Sequence, residues 1–319
     1  MMAISARSLG HNGPSVSALG LGCMGMSEFY GRADRKAALA TIVAAIEAGV
    51  TLFDTGDFYG MGHNELLLAE ALRDQRDRAF IQVKYGALRA PNGSFLGTDA
   101  RPVAMKNALS YSLQRLGTDH IDLYMTGRDP TVPIEETIGA MGEMVRQGYV
   151  RHVGIMNVDA DIIRRAHATH PVTALQFEYS LISRDIEQAV LPVCRELGIG
   201  VTAYGVLSRG LLTGSKGSGE GDVRSTHYPR FQGENLTKNE RLAAALAEVA
   251  RNEGITAAQA AIGWVLSQGD DIIPLVGART VERLTEALAA PLRLSSAALA
   301  SIEEAVPHEA VHGDRFMVH

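Results

Sequence analysis

Eight short apolar runs, each handed on to a stretch of helical periodicity, constrain this 319-residue chain more than any other feature. The runs fall at 17–22, 50–53, 79–84, 121–125, 150–155, 172–177, 199–203 and 271–275, and several are as rich in Val, Ile and aromatic residues as buried strands are. Between them, apolar residues recur at helical spacing. Leu39, Ile42, Val43 and Ile46 follow an Asp34 cap and precede Gly49; Leu66, Leu67 and Leu72 form a second set, and Ile134, Ile138, Met141 and Val145 a third. Further helices are expected from 99 to 117, 159 to 168, 187 to 197, 238 to 253, 256 to 267 and from Thr280 onward. Ahead of them, Ser8 to Val16 carries an Asn12-Gly13 turn between short runs and reads as a β-hairpin. Alternation of this kind argues for an α/β fold with parallel strands and helical crossovers. A closed (β/α)8 barrel and an open doubly wound sheet both satisfy it, so periodicity alone leaves closure open.

Composition removes several classes of function. The chain is 46% apolar and 21% charged, enough to bury a large core, and its length suits one barrel domain over 1–319. Its net charge is −6 with both signs interspersed, so no basic stripe offers a nucleic-acid surface. No apolar stretch is long enough to span a membrane, and the opening residues lack the apolar centre of a signal peptide. Two distant cysteines, Cys23 and Cys194, imply reduced thiols and a cytoplasmic location. No His, Cys or carboxylate cluster has metal-ligand spacing, and no Gly-x-Gly-x-x-Gly opens a helix after a strand. The Gly/Ser-rich stretch 214–221 holds no core-forming residue and is expected to be mobile.

The chemistry concentrates in 51–60, Thr-Leu-Phe-Asp-Thr-Gly-Asp-Phe-Tyr-Gly. An apolar run ends in Asp54, and a Gly-punctuated loop then presents the hydroxyl of Tyr59. The next apolar run ends in Lys84. Singly, these are a turn tyrosine and two solvated charges; together, each lies at or just past a strand end. The arrangement, with Asn64-Glu65 following, resembles the aldo-keto reductases, and the likeness covers nearly the whole chain. It implies a closed (β/α)8 TIM barrel with an N-terminal hairpin and a C-terminal extension whose residues 306–319 border the pocket. It also implies that Tyr59 is a general acid, that Asp54 orients Lys84, and that Lys84 lowers the pKa of Tyr59.

The same resemblance implies a nicotinamide cofactor across the barrel mouth. Asn157 and Gln176 match the positions that bond its carboxamide, Tyr204 the ring that stacks on it, and Gly22, Cys23 and Met24 the first strand end touching ring and ribose. Leu207, Ser208, Gly210 and Leu211 fall in the loop that wraps the pyrophosphate. Gly277, Arg279, Arg283 and Glu286 match the adenosine-phosphate site. A helix start beside a guanidinium suits a dianionic phosphate, and two arginines four apart on one helical face favour NADP(H) over NAD. Read physically alone, that segment is equally a capped surface helix.

One departure stands out. Most members carry a histidine just beyond the fourth strand, and here Gly127 holds that place. His120 precedes the strand, at the opposite barrel end, and His63 lies in the Tyr59 loop. Met156 replaces a usual serine, so Gly127, Arg128 and Met156 outline an altered substrate pocket. The expected activity is NADP-dependent interconversion of a carbonyl, bulky or polar, and an alcohol. Reduction of a conjugated C=C bond, and a non-catalytic NADP-binding regulatory role, stay open as alternatives; a metal-dependent or phosphosugar enzyme is disfavoured by the absent ligand clusters.

Overall fold

The computed structural model describes residues 4–27, 29–31, 33–217 and 221–315. The Asn12-Gly13 turn joins β1 (Ala6–Ser8) to β2 (Ser15–Ser17) in an antiparallel hairpin, as its sequence predicts. The chain then runs through β3 (Gly20–Gly22), α1 (Arg35–Glu47), β4 (Leu52–Gly56), α2 (His63–Leu72) and β5 (Phe80–Tyr85). A small hairpin follows, β6 (Ala87–Arg89) with β7 (Phe95–Thr98), then α3 (Pro102–Leu116), β8 (Ile121–Thr126), α4 (Ile134–Arg146), β9 (Val150–Met156) and α5 (Ala160–Thr169). The last part holds β10 (Val172–Glu178), α6 (Val190–Leu197), β11 (Gly200–Tyr204), α7 (Arg224–His227), α8 (Gly233–Asn252), α9 (Ala257–Ser267), β12 (Ile272–Gly277), α10 (Val281–Leu288) and α11 (Ser296–Ala305).

Strands β3, β4, β5, β8, β9, β10, β11 and β12 lie side by side in parallel and close, β12 pairing with β3 through Leu275 and Gly20. That pairing settles the barrel over the open sheet. Helix starts follow the sequence signals: Asp34, Asp159, Thr280 and Ser295 each accept a backbone N–H in the first turn, and Thr256 with Gln259 forms a full capping box. Two expectations shift. Leu66 is 54% exposed, and Leu67 and Leu68 carry the buried face of α2 instead. The β6–β7 hairpin lies in what the sequence presents as a loop; its Leu88, Phe95 and Leu96 are exposed, so no core-facing pattern marks it.

Side chains alternate along each strand, and the inward ones sort by height. Leu52, Leu123, Met125, Ala174, Ile273 and Leu275 fill the barrel interior as one apolar cluster, closed from below by Leu9 and Val16 of the entry hairpin. Each of those two buried side chains contributes about 1.5–3 kcal/mol. The outward strand faces pack on the helices in a second, larger cluster. Above the apolar fill, toward the carboxyl ends of the strands, the inward positions become polar: Asp54, Gln82, Lys84 and Gln176.

Candidate active site

Asp54 sits on β4 and Lys84 on the adjacent β5, both pointing inward, and Lys84 Nζ lies 2.5 Å from Asp54 Oδ1. Both side chains are almost fully buried, so the pair has exchanged water for each other and for further donors. The same oxygen accepts from Gln82 Nε2 at 2.7 Å and from Gln176 Nε2 at 2.8 Å. Three donors on one carboxylate oxygen fix its position and spread its charge. Gln82 is the residue the sequence reading passed over. Its signal was available, because residues 82 and 84 share a strand face, and a polar residue inside an apolar run two places before Lys84 must enter the same interior.

Tyr59 follows β4 in a short 3-10 turn, Tyr59–Gly62, bent by left-handed residues at Gly60, Met61 and Gly62. The bend turns Tyr59 back over the barrel: Lys84 Nζ is 4.8 Å from its ring centre, and Phe58 packs edge-on against it. Asn64 holds the loop from behind, its Oδ1 accepting from Thr55 Oγ1 at 2.7 Å and its Nδ2 donating to the Cys23 carbonyl at 2.8 Å. Glu65, fully buried, is paired with Arg115.

The electrostatics of this triad differ from the sequence expectation. Burial pushes the Tyr59 phenol well above its ordinary value, and Asp54 pushes the same way. Burial lowers Lys84, with Asp54 opposing that shift. Burial and Asp54 thus both favour the neutral phenol of Tyr59. Burial likewise raises the Cys23 thiol, leaving it inert.

The other expected residues lie at or beyond the carboxyl ends of the strands. Gly22 ends β3, and the Cys23 N–H donates to the Asp54 carbonyl at 3.0 Å; Met24 opens the turn beyond. Asn157, left-handed at φ 50°, follows β9, and its Oδ1 accepts from Tyr204 Oη at 3.1 Å. Leu207, Ser208, Gly210 and Leu211 lie in a turn after β11 in which Ser208, Arg209 and Gly210 all have positive φ, a strained segment of the kind found at ligand clamps. Arg209 is drawn inward to the buried Glu178 at 3.2 Å. Gly277 ends β12, and Arg283 on α10 pairs with Glu286 at 3.0 Å. Arg279 and Arg283 do not share a helical face, because Thr280 caps α10 and leaves Arg279 outside it, donating to the Tyr30 carbonyl at 2.7 Å. Gly127 follows β8 and faces Met156 at the end of β9, while Arg128 points to Asp159 at 3.9 Å.

The alternative histidines are elsewhere: His120 is paired with Asp119 before β8, and His63 is exposed against Ser27 Oγ at 2.9 Å. Among the described residues no cluster could hold a metal ion, and no helix is long and apolar enough to cross a membrane. Residues 218–220 of the Gly/Ser stretch and 316–319 of the extension lie outside the described residues; Arg315, just before the latter, reaches Asp185 at 3.0 Å and stacks over Phe177.

Residues 18–307 match the model of the aldo/keto reductase family. The chain belongs to that family. A protein described as "Probable aldo-keto reductase 1" from Glycine max is 39% identical over 315 residues, covering 97% of this chain and 90% of the relative. The glycerol dehydrogenase structure from Gluconobacter oxydans superposes with TM-score 0.86 at 26% identity over the whole of both chains. A Bacillus halodurans aldo-keto reductase in its holo form superposes with TM-score 0.80 at 26% identity, covering 97% of this chain and 98% of that one. This chain is accordingly an oxidoreductase of carbonyls and alcohols, of a family that generally works with nicotinamide cofactors.

The mouth fits such a group. Gly22 and Gly277 are register partners on neighbouring strands, and a Cβ added at Gly22 would meet nothing nearer than the Gly277 nitrogen at 3.6 Å. Two adjacent strand ends thus present bare backbone beside the triad, open for close approach by a flat ring.

Proposed function

We propose that this protein is an NADP(H)-dependent carbonyl reductase in which Tyr59 protonates the carbonyl oxygen while Lys84 and Asp54 hold the donor environment. The observation that carries the reading is the buried Asp54–Lys84 pair at 2.5 Å beneath the Tyr59 ring. When bound, a reduced nicotinamide supplies hydride to the carbonyl carbon. Gly22, Cys23, Met24, Asn157 and Tyr204 would border its ring. Gln176 keeps one N–H on Asp54 and has a second for a carboxamide. The 207–211 turn would take the pyrophosphate, and Arg279 and Arg283 beside the α10 start support NADP(H) over NAD.

Burial favours the neutral phenol, the form that can donate a proton to a carbonyl oxygen. Gly127, lacking a side chain at the mouth, supports bulkier carbonyls, and the two buried free thiols support a reducing, cytoplasmic setting. The test is consumption of NADPH and of NADH across a carbonyl panel with product analysis. Alcohol formation with NADPH preferred is expected. Saturation of an enone C=C with the carbonyl retained, or tight NADPH binding with no turnover of any carbonyl, would sink the reading.

A further inference from the structure

We propose that Glu178 is a positioning residue for the cofactor, holding the 207–211 turn in its binding shape through Arg209 and tying that turn to the C-terminal extension. This deepens the NADP(H) reading, in which that turn takes the pyrophosphate, and rests on it. Ser208 and Arg209 are left-handed at φ 46° and 57°, a conformation that residues other than glycine keep only where their surroundings enforce it. Arg209 supplies the enforcement by folding back on the barrel. Its Nη1 and Nη2 donate to Glu178 Oε2 at 3.2 and 3.3 Å, and its guanidinium lies 4.4 Å over the Tyr228 ring. Beside it, Ser208 Oγ meets Ser180 Oγ at 3.1 Å.

Glu178 ends β10 with 1% of its surface exposed. Ser183 Oγ donates to its Oε1 at 2.9 Å, and two more guanidinium groups approach it, Arg230 at 4.0 Å and Arg315 at 3.9 Å. Arg230 precedes α8 and donates through Nε to the Gly313 carbonyl at 3.3 Å, while Arg315 lies beyond α11. One buried carboxylate thus joins a strand end, the cofactor turn and the extension. Its room depends on Gly205, at φ 68°, where a Cβ would lie 3.1 Å from Glu178 Cγ.

Charge and position predict opposite signs here. A pyrophosphate is anionic, so through space alone the removal of a nearby carboxylate tightens NADPH binding. Loss of positioning weakens it, because each incoming cofactor must then order the turn itself. Arg209→Lys separates the two differently: it keeps the positive charge and loses the planar fork that grips the carboxylate.

The test measures NADPH affinity by fluorescence titration, and amide hydrogen exchange of 207–213 and 306–315 with and without NADPH. The proteins are the native chain, Glu178→Gln and Arg209→Lys. Each variant should weaken NADPH binding by about tenfold, the scale of one charge-assisted contact, and raise the KM for NADPH by more than it lowers kcat. Exchange of the turn without cofactor should quicken in both. In the native protein NADPH should slow exchange in 306–315 as well as in the turn, and Arg209→Lys should lose the first effect. Should Glu178→Gln fail to fold, Arg209→Lys decides alone. Unchanged or tighter NADPH binding in a folded variant, or native 306–315 exchange indifferent to bound NADPH, overturns the inference and leaves the cofactor reading standing. Absence of NADPH binding by the native protein counts against that reading itself, while exchange of the cofactor-free turn in Arg209→Lys still decides whether Glu178 holds it.

Discussion

Gln82 and Gln176 donate to the same oxygen of Asp54 at 2.7 and 2.8 Å, yet truncating them should have different consequences. Gln82 is fully buried, and its own carbonyl oxygen has no hydrogen-bond partner among the described residues. Gln176 carries no such orphan among the described residues. Gln176→Leu removes a hydrogen bond to a charged group and should cost about 1.5–3 kcal/mol. Gln82→Leu removes an equivalent bond but also an unsatisfied buried acceptor worth about 1–3 kcal/mol, so the two effects offset to within about 1 kcal/mol. The change of shape from glutamine to leucine is common to both variants, so packing effects largely cancel in the comparison. Guanidinium unfolding of both variants and the native protein, compared at constant slope, measures the difference. If Gln82→Leu destabilises as much as Gln176→Leu, the carbonyl of Gln82 is satisfied and the three-donor account of Asp54 is wrong in its energetics.

Three further outcomes are expected. Burial, with Glu65 adding to it, raises the Asp57 carboxyl to about 7, above its unfolded value, so folding loses stability as pH climbs from about 4 through 7. Asp57→Asn should therefore unfold at higher denaturant than the native protein at pH 8 and at the same denaturant at pH 4; equal shifts at both would reject the assignment. Arg283→Ala should weaken NADPH binding by about tenfold, on the scale of one charge-assisted contact, and leave NADH binding nearly unchanged in a fluorescence titration. Equal loss for both cofactors would remove Arg283 from the phosphate site. At Gly200 a Cβ would lie 2.4 Å from the Gly10 nitrogen, which is backbone, so Gly200→Ala should lift the entry hairpin and cost at least about 1–3 kcal/mol in thermal unfolding.

Much of the barrel is legible in the sequence, because each buried strand is a short β-branched or apolar run and several helices carry a side-chain cap, as Asp34, Asp159 and Thr280 show. Closure was not readable from period alone: it depends on β12 reaching β3, a pairing between residues some 250 positions apart that leaves no local trace. Asp54, Tyr59 and Lys84 stand out through their likeness to the aldo-keto reductases, each at or just past a strand end; the structure pairs Asp54 with Lys84 and sets the Tyr59 ring beside them. Gln82 was missed because a lone amide in an apolar run looks like an interruption until the alternation is followed to the shared face. The Arg279–Arg283 pair was misread as one helical face because Thr280 serves as the cap, placing Arg279 outside the helix. The direction of the Tyr59 shift lies beyond sequence altogether, since it depends first on how deeply the phenol is buried.

The most direct test of the central claim is NADPH-dependent reduction of an activated aldehyde by the native protein and by Tyr59→Phe, with cofactor affinity measured on both. The expected result is a fall in kcat of about a hundred- to ten-thousandfold, the worth of a general acid, with NADPH binding retained. Turnover undiminished in Tyr59→Phe would contradict the account, because the carbonyl oxygen would then be taking its proton from somewhere other than the hydroxyl above Lys84.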